Sequence, residues 1–230
     1  ACESNPDRCF AVNAEGVKNI ALACRDRRVN VVHFSTDYVF DGAKGRPYVE
    51  EDAGNPLNVY GASKLAGERY LLDLAPDFLL IRTAWLYGRN GKNFVRTILE
   101  AARRRPVLEV VDDQVGSPTY TVDLAVAVER LIVGGHRGVF HVTNRGAGSW
   151  FEFAERIISY AGLHGTEVRP ISSAKLTRPA RRPPYSVMSA RKFIQTTGRT
   201  LRFWPIALQE YLERSVFVEK GVPACPESSC

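Results

Sequence analysis

The chain has 230 residues, of which 45% are hydrophobic and 24% charged, with a formal net charge of +6 at pH 7. This composition is typical of a folded globular protein that buries a core. The sequence contains neither an apolar run of 18 residues nor a basic segment followed by an apolar leader. We therefore expect no membrane span and no signal peptide, and we predict a cytoplasmic protein.

The positive charge would permit nucleic-acid binding, but the arginines occur in short clusters without interleaved aromatic residues, so we expect no nucleic-acid partner. One cluster, residues 103–105, is interpreted as the solvated face of a helix. The other, residues 178–182, lies in the proline-rich segment TRPARRPPYS and is predicted to be a loop. Guanidinium groups fixed in a loop can hold a phosphate or diphosphate bidentately, so a small anionic substrate explains the charge equally well.

The cysteines are odd in number and lie near the two ends of the chain, which favours reduced thiols over a disulfide framework. They are Cys2, Cys9, Cys24, Cys225 and Cys230. No histidines accompany them at metal-ligand spacing, so we predict no protein-bound metal centre.

Helical and strand patterns alternate along the chain. A helix is predicted from Asn5–Asp7 to about residue 27, then a strand over 30–36, a helix to about Leu74 that Pro76 ends, and a strand from Phe78. Further on, the patterns predict helices over 92–105, 121–133 and 149–162, and strands over 107–114 and 138–144. This alternation predicts an α/β fold with a parallel sheet. No glycine-rich G-x-G-x-x-G or G-x-x-G-x-x-G turn occurs in the sequence.

The first predicted strand changes character abruptly at its end. The segment VNVVHFSTDYVFDG, residues 29–42, is apolar up to Phe34 and then presents hydroxyl, carboxylate and phenol groups. The apolar run predicts a central strand that is buried on both faces. Ligands bind at the carboxyl ends of the strands in such sheets, so Thr36 and Asp37 are candidate site residues. Taken alone, hydroxyls here would more simply satisfy loop backbone groups.

A second polar motif strengthens the functional interpretation. In YGASKLAGE, Tyr60 and Lys64 are four residues apart and share one helix face. This spacing alone is weak evidence because it often marks a solvated helix face. A carbonyl reductase, however, needs a proton donor as hydride arrives, and an ammonium group near a tyrosine favours its phenolate. We expect Lys64 to lower the pKa of Tyr60, and Thr36 to donate a second hydrogen bond to the substrate oxygen.

The sequence resembles the dTDP-4-dehydrorhamnose reductase family of the extended short-chain dehydrogenase/reductase superfamily. The resemblance runs from residue 1 to about 214 and rests on motifs in the family's order. They are FAVNAEGVKNIALAC, FSTDYVFDG, YVEEDAGNPLNVYGASKLAGE, LLIRTAWLYG, DDQVGSPTYTVDLA, GVFHVTNRGAGSWFEFA and RPPYSVMSARK. It implies NADPH-dependent reduction of the 4-keto group of dTDP-4-dehydro-L-rhamnose to dTDP-L-rhamnose.

The resemblance also assigns roles to individual residues. It implies that Thr36, Tyr60 and Lys64 are catalytic, and that Tyr60 and Lys64 also hold the nicotinamide nucleotide. It places the substrate against Thr36, Asp37 and Trp85. Gln114 and Arg182 match loops near the substrate, although a structural role is as plausible for each. Without the resemblance, Trp85 would be interpreted as a core aromatic residue.

The resemblance implies a Rossmann-like parallel sheet that lacks its N-terminal strands and glycine-rich loop, followed by a smaller mixed α/β substrate-binding region. We therefore expect an N-terminally truncated enzyme with impaired activity and poor NADPH binding. The predicted division is a partial Rossmann domain over 1–104, a substrate-binding region over 105–214 and a tail over 215–230. Residues 119–135 are predicted to pack back on the Rossmann domain.

Other functions stay open. A nucleotide-sugar dehydratase or epimerase is the nearest alternative, but related dehydratases carry Asp-Glu after the threonine, whereas this chain has Asp37-Tyr38. A non-catalytic regulatory subunit is a second alternative, because the β subunit of methionine adenosyltransferase uses the same scaffold. NADH in place of NADPH, a Mg²⁺ requirement and a homodimer are possible.

Overall fold

The computed structural model describes residues 2–75 and 77–217. The helices are α1 (Pro6–Phe10), α2 (Gly16–Arg27), α3 (Val59–Leu74), α4 (Phe94–Ala102), α5 (Thr121–Val133), α6 (Trp150–Tyr160), α7 (Arg191–Thr197) and α8 (Trp204–Tyr211). The strands are β1 (Val31–Thr36), β2 (Phe78–Thr83), β3 (Leu86–Tyr87), β4 (Val107–Val111), β5 (Val115–Gly116), β6 (Thr119–Tyr120), β7 (Gly138–His141), β8 (Gly148–Ser149) and β9 (Glu167–Ile171).

Several helix boundaries follow from side chains that cap the helix ends. The Asn5 side chain accepts a hydrogen bond from the backbone of Arg8, which starts α1 where Asn5–Asp7 predicted a helix start. Ser149 and Glu152 form a reciprocal capping box at the start of α6, and this cap agrees with the predicted one. A π-helical turn over Ala11–Glu15 joins α1 to α2.

The main sheet has three parallel strands in the order β1-β2-β7. Residues 31–36 of β1 pair in register with residues 78–83 of β2. The prediction that β1 is central was wrong for the described part of the chain, since β1 lies at the edge of this sheet. Val32 is 38% exposed and Phe34 is 45% exposed, so the apolar run has one covered and one open side.

Helices cover both faces of this sheet. On one face, Val17 and Ala21 of α2 and Leu71 of α3 pack against Val31 and Leu80 of the strands. On the other face, a second cluster joins β2 and β7 to α5 and α7. Its members are Leu79, Ile81, Leu124, Ala127, Val128, Leu131, Phe140, Val142, Phe193 and Leu201. The predicted Rossmann-like α/β architecture, with helices on both sides of a parallel sheet, is confirmed.

A separate apolar cluster forms the core of the C-terminal half. It brings together α4, α6 and α8 with β4, and its fully buried members include Val95, Phe153, Ala154, Ile157, Ala207, Leu208 and Tyr211. The strand β4 pairs in parallel with β9, which the sequence patterns did not predict. The predicted domain boundaries stay a prediction, and the proposed tail lies mostly outside the described residues.

The structure pairs Cys2 with Cys9 as a disulfide, so the expectation of reduced thiols was wrong for these two residues. The helix start explains the pairing, because it brings their Cα atoms to within 5.3 Å of each other. Cys24 is free. Within the described ranges, no helix has both the length and the apolar character that crossing a bilayer requires.

Candidate active site

The end of β1 is organised by the hydroxyl of Thr36. The backbone N–H of Tyr38 donates to Thr36 Oγ1 at 3.2 Å, which caps a short 3₁₀ turn over Asp37–Val39. The turn stops the strand and places the carboxylate of Asp37 beside the Thr36 hydroxyl. The polar residues after the apolar run therefore form an ordered turn, in which the Thr36 hydroxyl accepts a hydrogen bond from the backbone N–H of Tyr38.

Asp37 is buried and fully hydrogen-bonded within the protein. Thr36 Oγ1 donates to Asp37 Oδ1 at 3.0 Å, and Ser186 Oγ donates to Asp37 Oδ2 at 2.6 Å. Burial opposes the charged form and raises the pKa of Asp37 to about 6, although both hydrogen bonds act in the opposite direction. A carboxyl with this pKa titrates just below neutral pH.

Helix α3 brings Tyr60 to the same place. Asn58 caps the helix, because its Oδ1 accepts a hydrogen bond from Gly61 N at 2.8 Å. Gly61 packs so closely on the Tyr38 carbonyl that a Cβ would collide with it. The Tyr60 ring lies edge-on to the Tyr38 ring, with 6.1 Å between ring centroids. Thr36, Asp37 and Tyr60 are therefore brought together as predicted.

The environment keeps Tyr60 in its neutral form. Burial and the nearby charge of Asp37 raise the pKa of the Tyr60 hydroxyl, and a hydrogen bond with Thr36 lowers it only in part. The side chain is nevertheless 38% exposed, so its hydroxyl is accessible to a ligand. Tyr60 is thus a protonated phenol at neutral pH, which is the form that a general acid needs.

Lys64 interacts with the edge strand instead of activating the phenol of Tyr60. Its Nζ donates to the Phe34 carbonyl at 2.6 Å and lies 3.2 Å from His33 Nε2. Burial lowers the pKa of Lys64, and the carboxylate of Glu68 one turn along α3 opposes this effect. The expectation that Lys64 lowers the pKa of Tyr60 was wrong, because the effect of burial on the phenol prevails.

A buried ion pair holds α3 on the sheet. Arg82 of β2 donates to both carboxylate oxygens of Glu68, and its shortest contact is 2.6 Å to Oε2. The two side chains are only 8% and 2% exposed. The Arg82 guanidinium also donates to the Glu50 carbonyl at 3.3 Å. This pair fixes the helix that carries Tyr60 and Lys64 against the strand next to β1.

Trp85 lies just after β2 and takes part in an aromatic stack. Its ring is nearly parallel to that of Trp150, with 3.4 Å between centroids. The backbone of Trp85 has φ of 47°, a strained value for a bulky residue, and such strain often accompanies a functional site. Gly116 lies directly against the indole, and a side chain there would collide with it. Trp85 is therefore a partly buried residue that packs against two apolar core clusters and stacks on Trp150, which lines a cleft.

A cleft of about 520 Å³ opens next to this stack. Tyr38, Trp150, Arg178 and Arg182 line it together with apolar residues of α4 and β4. Burial and the charge of Asp37 raise the pKa of the Tyr38 phenol, and the charges of Arg182 and Arg178 oppose this effect. The arginines lie close enough for Arg182 to lower the pKa of Arg178. Two adjacent cations beside aromatic rings suit a negatively charged nucleotide.

Gln114 is placed differently from the other predicted residues. It is 9% exposed, and its Oε1 has no hydrogen-bond partner among the described residues. It does not line the cleft next to the tryptophan stack. An unpartnered buried amide oxygen is unusual and keeps open a role in ligand binding or positioning.

Two residues of this region were missed as candidates. Arg178 belongs to the loop cluster 178–182 that the sequence had indicated as an anion-binding element. Asn58 and Ser186 had weaker signals, since each is an ordinary polar residue whose partner lies more than a hundred residues away in the sequence. Within residues 2–75 and 77–217, no group of three acidic, histidine or cysteine side chains is arranged to hold a metal ion.

The comparisons agree with this arrangement. The family described as the RmlD substrate binding domain matches residues 1–217. A dTDP-4-keto-6-deoxy-D-glucose reductase from Streptomyces niveus is 41% identical over 209 residues, covering 90% of this chain and 73% of the relative. A dTDP-4-dehydrorhamnose reductase from Mycolicibacterium smegmatis is 43% identical over 212 residues, covering 90% of this chain and 64% of the relative.

The solved structures show the same fold. The crystal structure of dTDP-4-dehydrorhamnose reductase from Bacillus anthracis in complex with NADP has a TM-score of 0.88 and 38% identity, covering 95% of this chain and 75% of that one. The enzyme of that name from Clostridium acetobutylicum also has a TM-score of 0.88, with 41% identity over 92% of this chain and 75% of that one. By sequence and by structure, this chain belongs to the family of the RmlD substrate binding domain.

Proposed function

We propose that the protein reduces the 4-keto group of dTDP-4-dehydro-L-rhamnose to dTDP-L-rhamnose with NADPH as hydride donor. The observation that carries the proposal is the partly exposed side chain of Tyr60, which the start of α3 places against the turn that follows Thr36 at the end of β1. Relatives with more than 40% identity are named as reductases of dTDP-linked keto sugars.

The side chains divide the work of reduction between them. Tyr60 gives its phenolic proton to the carbonyl oxygen as the alcohol forms. Thr36, at the end of β1, would orient the Tyr60 hydroxyl by a hydrogen bond. In the present arrangement the Thr36 proton is directed to Asp37 Oδ1, so a hydrogen bond from Thr36 to the substrate requires that hydroxyl to rotate. The family resemblance implies that Asp37 binds the sugar, which requires Asp37 to exchange a hydrogen bond from Thr36 or Ser186 for one from the substrate.

The residues present fit the nicotinamide end of the cofactor. The Tyr60 side chain is partly exposed, and Lys64 lies beside β1, where its Nζ donates to the Phe34 carbonyl. These two residues would hold the nicotinamide nucleotide, which supplies the hydride when bound. The ammonium of Lys64 would donate hydrogen bonds to ribose hydroxyls. The NADP complex of the Bacillus anthracis enzyme supports NADPH as the donor.

The cleft would bind the nucleotide part of the substrate. Arg178 and Arg182 would neutralise the diphosphate, and the Trp85–Trp150 stack would border the sugar nucleotide. Gln114 is proposed as a substrate or loop-positioning residue on the strength of its unpartnered Oε1. Water screens the charges of the two arginines less in a cleft than on an open surface. Each guanidinium group can bind a phosphate bidentately, so two arginines suit a diphosphate.

The experiment combines turnover with binding. With dTDP-4-dehydro-L-rhamnose and NADPH, a version of the protein extended to the length of its relatives should oxidise one NADPH per sugar reduced. A dehydratase or epimerase returns its hydride to the sugar and consumes no cofactor, so catalysis without net NADPH oxidation would contradict the proposal. Calorimetric titration with dTDP-L-rhamnose tests the sugar-nucleotide site without cofactor. Absence of binding, as expected for a non-catalytic subunit, would also contradict the proposal.

Finer points remain predictions. NADH as an alternative donor, a Mg²⁺ requirement, a homodimer and a cytoplasmic location are each consistent with the proposed reaction. Omission of Mg²⁺ from the turnover assay tests the Mg²⁺ requirement, and sedimentation of the protein alone tests the homodimer.

A further inference from the structure

A loop from the C-terminal half lies directly on the end of β1 and the start of α3. We call residues 178–188 the arginine loop, since it carries both arginines of the cleft. Asn58 Nδ2 donates to the Arg181 carbonyl at 2.7 Å. Ser186 Oγ donates to Asp37 Oδ2 at 2.6 Å. Two side-chain hydrogen bonds therefore join the loop to the two segments that carry the proposed catalytic residues.

The packing around these bonds is close. Gly42 follows the 3₁₀ turn with φ of +80°, and a Cβ there would lie 2.7 Å from Pro184 Cδ. The backbone of the loop also pairs with neighbouring segments, since Val115 N donates to the Pro184 carbonyl at 2.8 Å and Tyr48 N donates to the Val187 carbonyl at 2.9 Å. The backbone of the loop thus has a defined position over the strand end. Its arginine side chains extend from there into the cleft.

Asn58 uses both halves of its amide group. Its Oδ1 caps α3 through Gly61 N, while its Nδ2 holds the Arg181 carbonyl. Serine and aspartate cap helices as well as asparagine does, but neither offers an amide N–H to a carbonyl. Capping of α3 does not require the amide N–H. This N–H instead attaches the arginine loop to the start of the helix.

We propose that Asn58 and Ser186 are positioning residues that fix the distance between the arginines of the cleft and the Tyr60 hydroxyl. This inference rests on the proposed function, since it uses Arg178 and Arg182 as ligands of the diphosphate. A sugar nucleotide must reach both places at once, with its diphosphate on the arginines and its sugar at Tyr60. A displaced loop leaves the arginines able to bind a nucleotide but misplaces the sugar.

The decisive variant is Asn58→Ser, which keeps a good helix cap and removes the amide donor. The matched control is Asn93→Ser, because Asn93 caps α4 through Arg96 N and donates its Nδ2 to the Gly88 carbonyl at 2.9 Å. It therefore also keeps a cap and loses an amide donor, which bonds the Gly88 carbonyl and Tyr211 Oη, at a helix that does not hold the arginine loop. Ser186→Ala removes the second attachment.

Two ligands separate positioning from general loss of structure. We expect Asn58→Ser to weaken the binding of dTDP-L-rhamnose about tenfold. This is the effect of losing one hydrogen bond worth about 1.4 kcal/mol. We expect the affinity for dTDP, which does not reach Tyr60, to change less than about threefold. Ser186→Ala should follow the same pattern, and Asn93→Ser should affect neither ligand. Equal losses for both ligands, or no loss for either, would overturn the proposal.

Limited trypsin digestion reports on the attachment without any ligand. Arg178 and Arg182 each precede a proline, which trypsin does not cleave, so the bond between Arg181 and Arg182 is the tryptic site among these arginines. We expect Asn58→Ser to speed its cleavage at least about fivefold relative to Asn93→Ser, and an unchanged rate would refute the attachment. If the unmodified protein binds neither ligand, the proposed function fails, while the trypsin result still decides whether Asn58 holds the loop.

Discussion

The proposed site has two parts that are built in different ways. The strand-end part, comprising Thr36, Asp37, Tyr60 and Lys64, comes from a short stretch of chain and is organised by side chains that satisfy nearby backbone groups. The cleft part, comprising Trp85, Trp150 and the arginine loop, is assembled from segments that are distant in sequence. The difference indicates that reaction chemistry is encoded locally here, while substrate recognition depends on the tertiary fold.

The two parts also differ in electrostatics. In the strand-end part, burial raises the pKa of Asp37 and Tyr60 and lowers that of Lys64, so every group is shifted toward its neutral form. In the cleft, two guanidinium groups remain charged beside aromatic rings. Substitutions in the first part should therefore change stability, turnover and pH dependence, while substitutions in the second should change affinity.

The largest expected effect is on the attachment of α3. Arg82→Met leaves Glu68 buried without its partner, and we expect it to lower the free energy of unfolding by about 3–5 kcal/mol. Chemical denaturation measures this loss. The control is Arg169→Met, which breaks the exposed pair with Glu167 and should leave the free energy of unfolding nearly unchanged. Equal effects of the two substitutions would show that the buried pair does not hold the helix.

The next effect concerns the pH dependence of stability. The folded protein raises the pKa of Asp37 from 3.8 to about 6, so folding favours its protonated form. The stabilisation that protonated Asp37 gives the folded state is present below about pH 4 and is lost as the pH rises to about 6. The free energy of unfolding falls by about 3 kcal/mol in total over this range. Asp37→Asn should remove this decline from the denaturation curves.

Asp41→Asn is the matched control for that titration. Hydrogen bonds from Ala43, Tyr48 and Asn55 lower the pKa of Asp41, so its contribution is lost as the pH falls. The two substitutions should therefore change the slope of stability against pH in opposite directions. Changes of the same sign would contradict the burial effect assigned to Asp37.

Removal of the proton donor tests the chemistry of the strand-end part. In a version extended to the length of the relatives, we expect Tyr60→Phe to lower the turnover of the 4-keto sugar by about 10²-fold or more, because the general acid is lost. NADPH oxidation with saturating sugar measures it. Tyr70→Phe is the control on the same helix, since Tyr70 donates to Glu15 at 2.9 Å on the exposed side. Near-normal turnover of Tyr60→Phe would reject the assignment.

The smallest effect belongs to the cleft. Trp85→Phe removes part of the stack with Trp150, and we expect dTDP-L-rhamnose to bind roughly threefold to tenfold more weakly, with unchanged thermal unfolding. Calorimetric titration gives the affinity. Phe203→Leu, which alters an aromatic contact with Arg145 away from the cleft, should bind the ligand normally. Unchanged affinity in Trp85→Phe would place the sugar nucleotide elsewhere.

The contrast between the two parts also explains what the sequence could predict. Apolar periodicity and capping residues gave the α/β class and most of the helices, because both signals act over a few residues. The meeting of Thr36 with Tyr60 followed from strand polarity and helix spacing. The edge position of β1 was missed because an apolar run indicates burial but does not say on how many sides a strand is paired.

Other features required the tertiary structure. The pKa of Tyr60 depends on burial and on Asp37, whereas the spacing to Lys64 suggested the opposite direction. The strained backbone and stacking of Trp85 depend on Gly116 and Trp150, which come from other segments. The role inferred for Asn58 depends on a carbonyl 123 residues away. No local pattern contains that information.

The hydrogen bond between Asp37 and Ser186 closes a loop of 149 residues, and this length has a consequence for the order of folding. Contacts between distant residues form late, because the entropy of the intervening chain must be lost before they are made. The strand end and α3 need only nearby residues, so they can assemble early. In refolding experiments we expect far-ultraviolet ellipticity to recover before affinity for dTDP-L-rhamnose, with an interval of folded but non-binding protein between them.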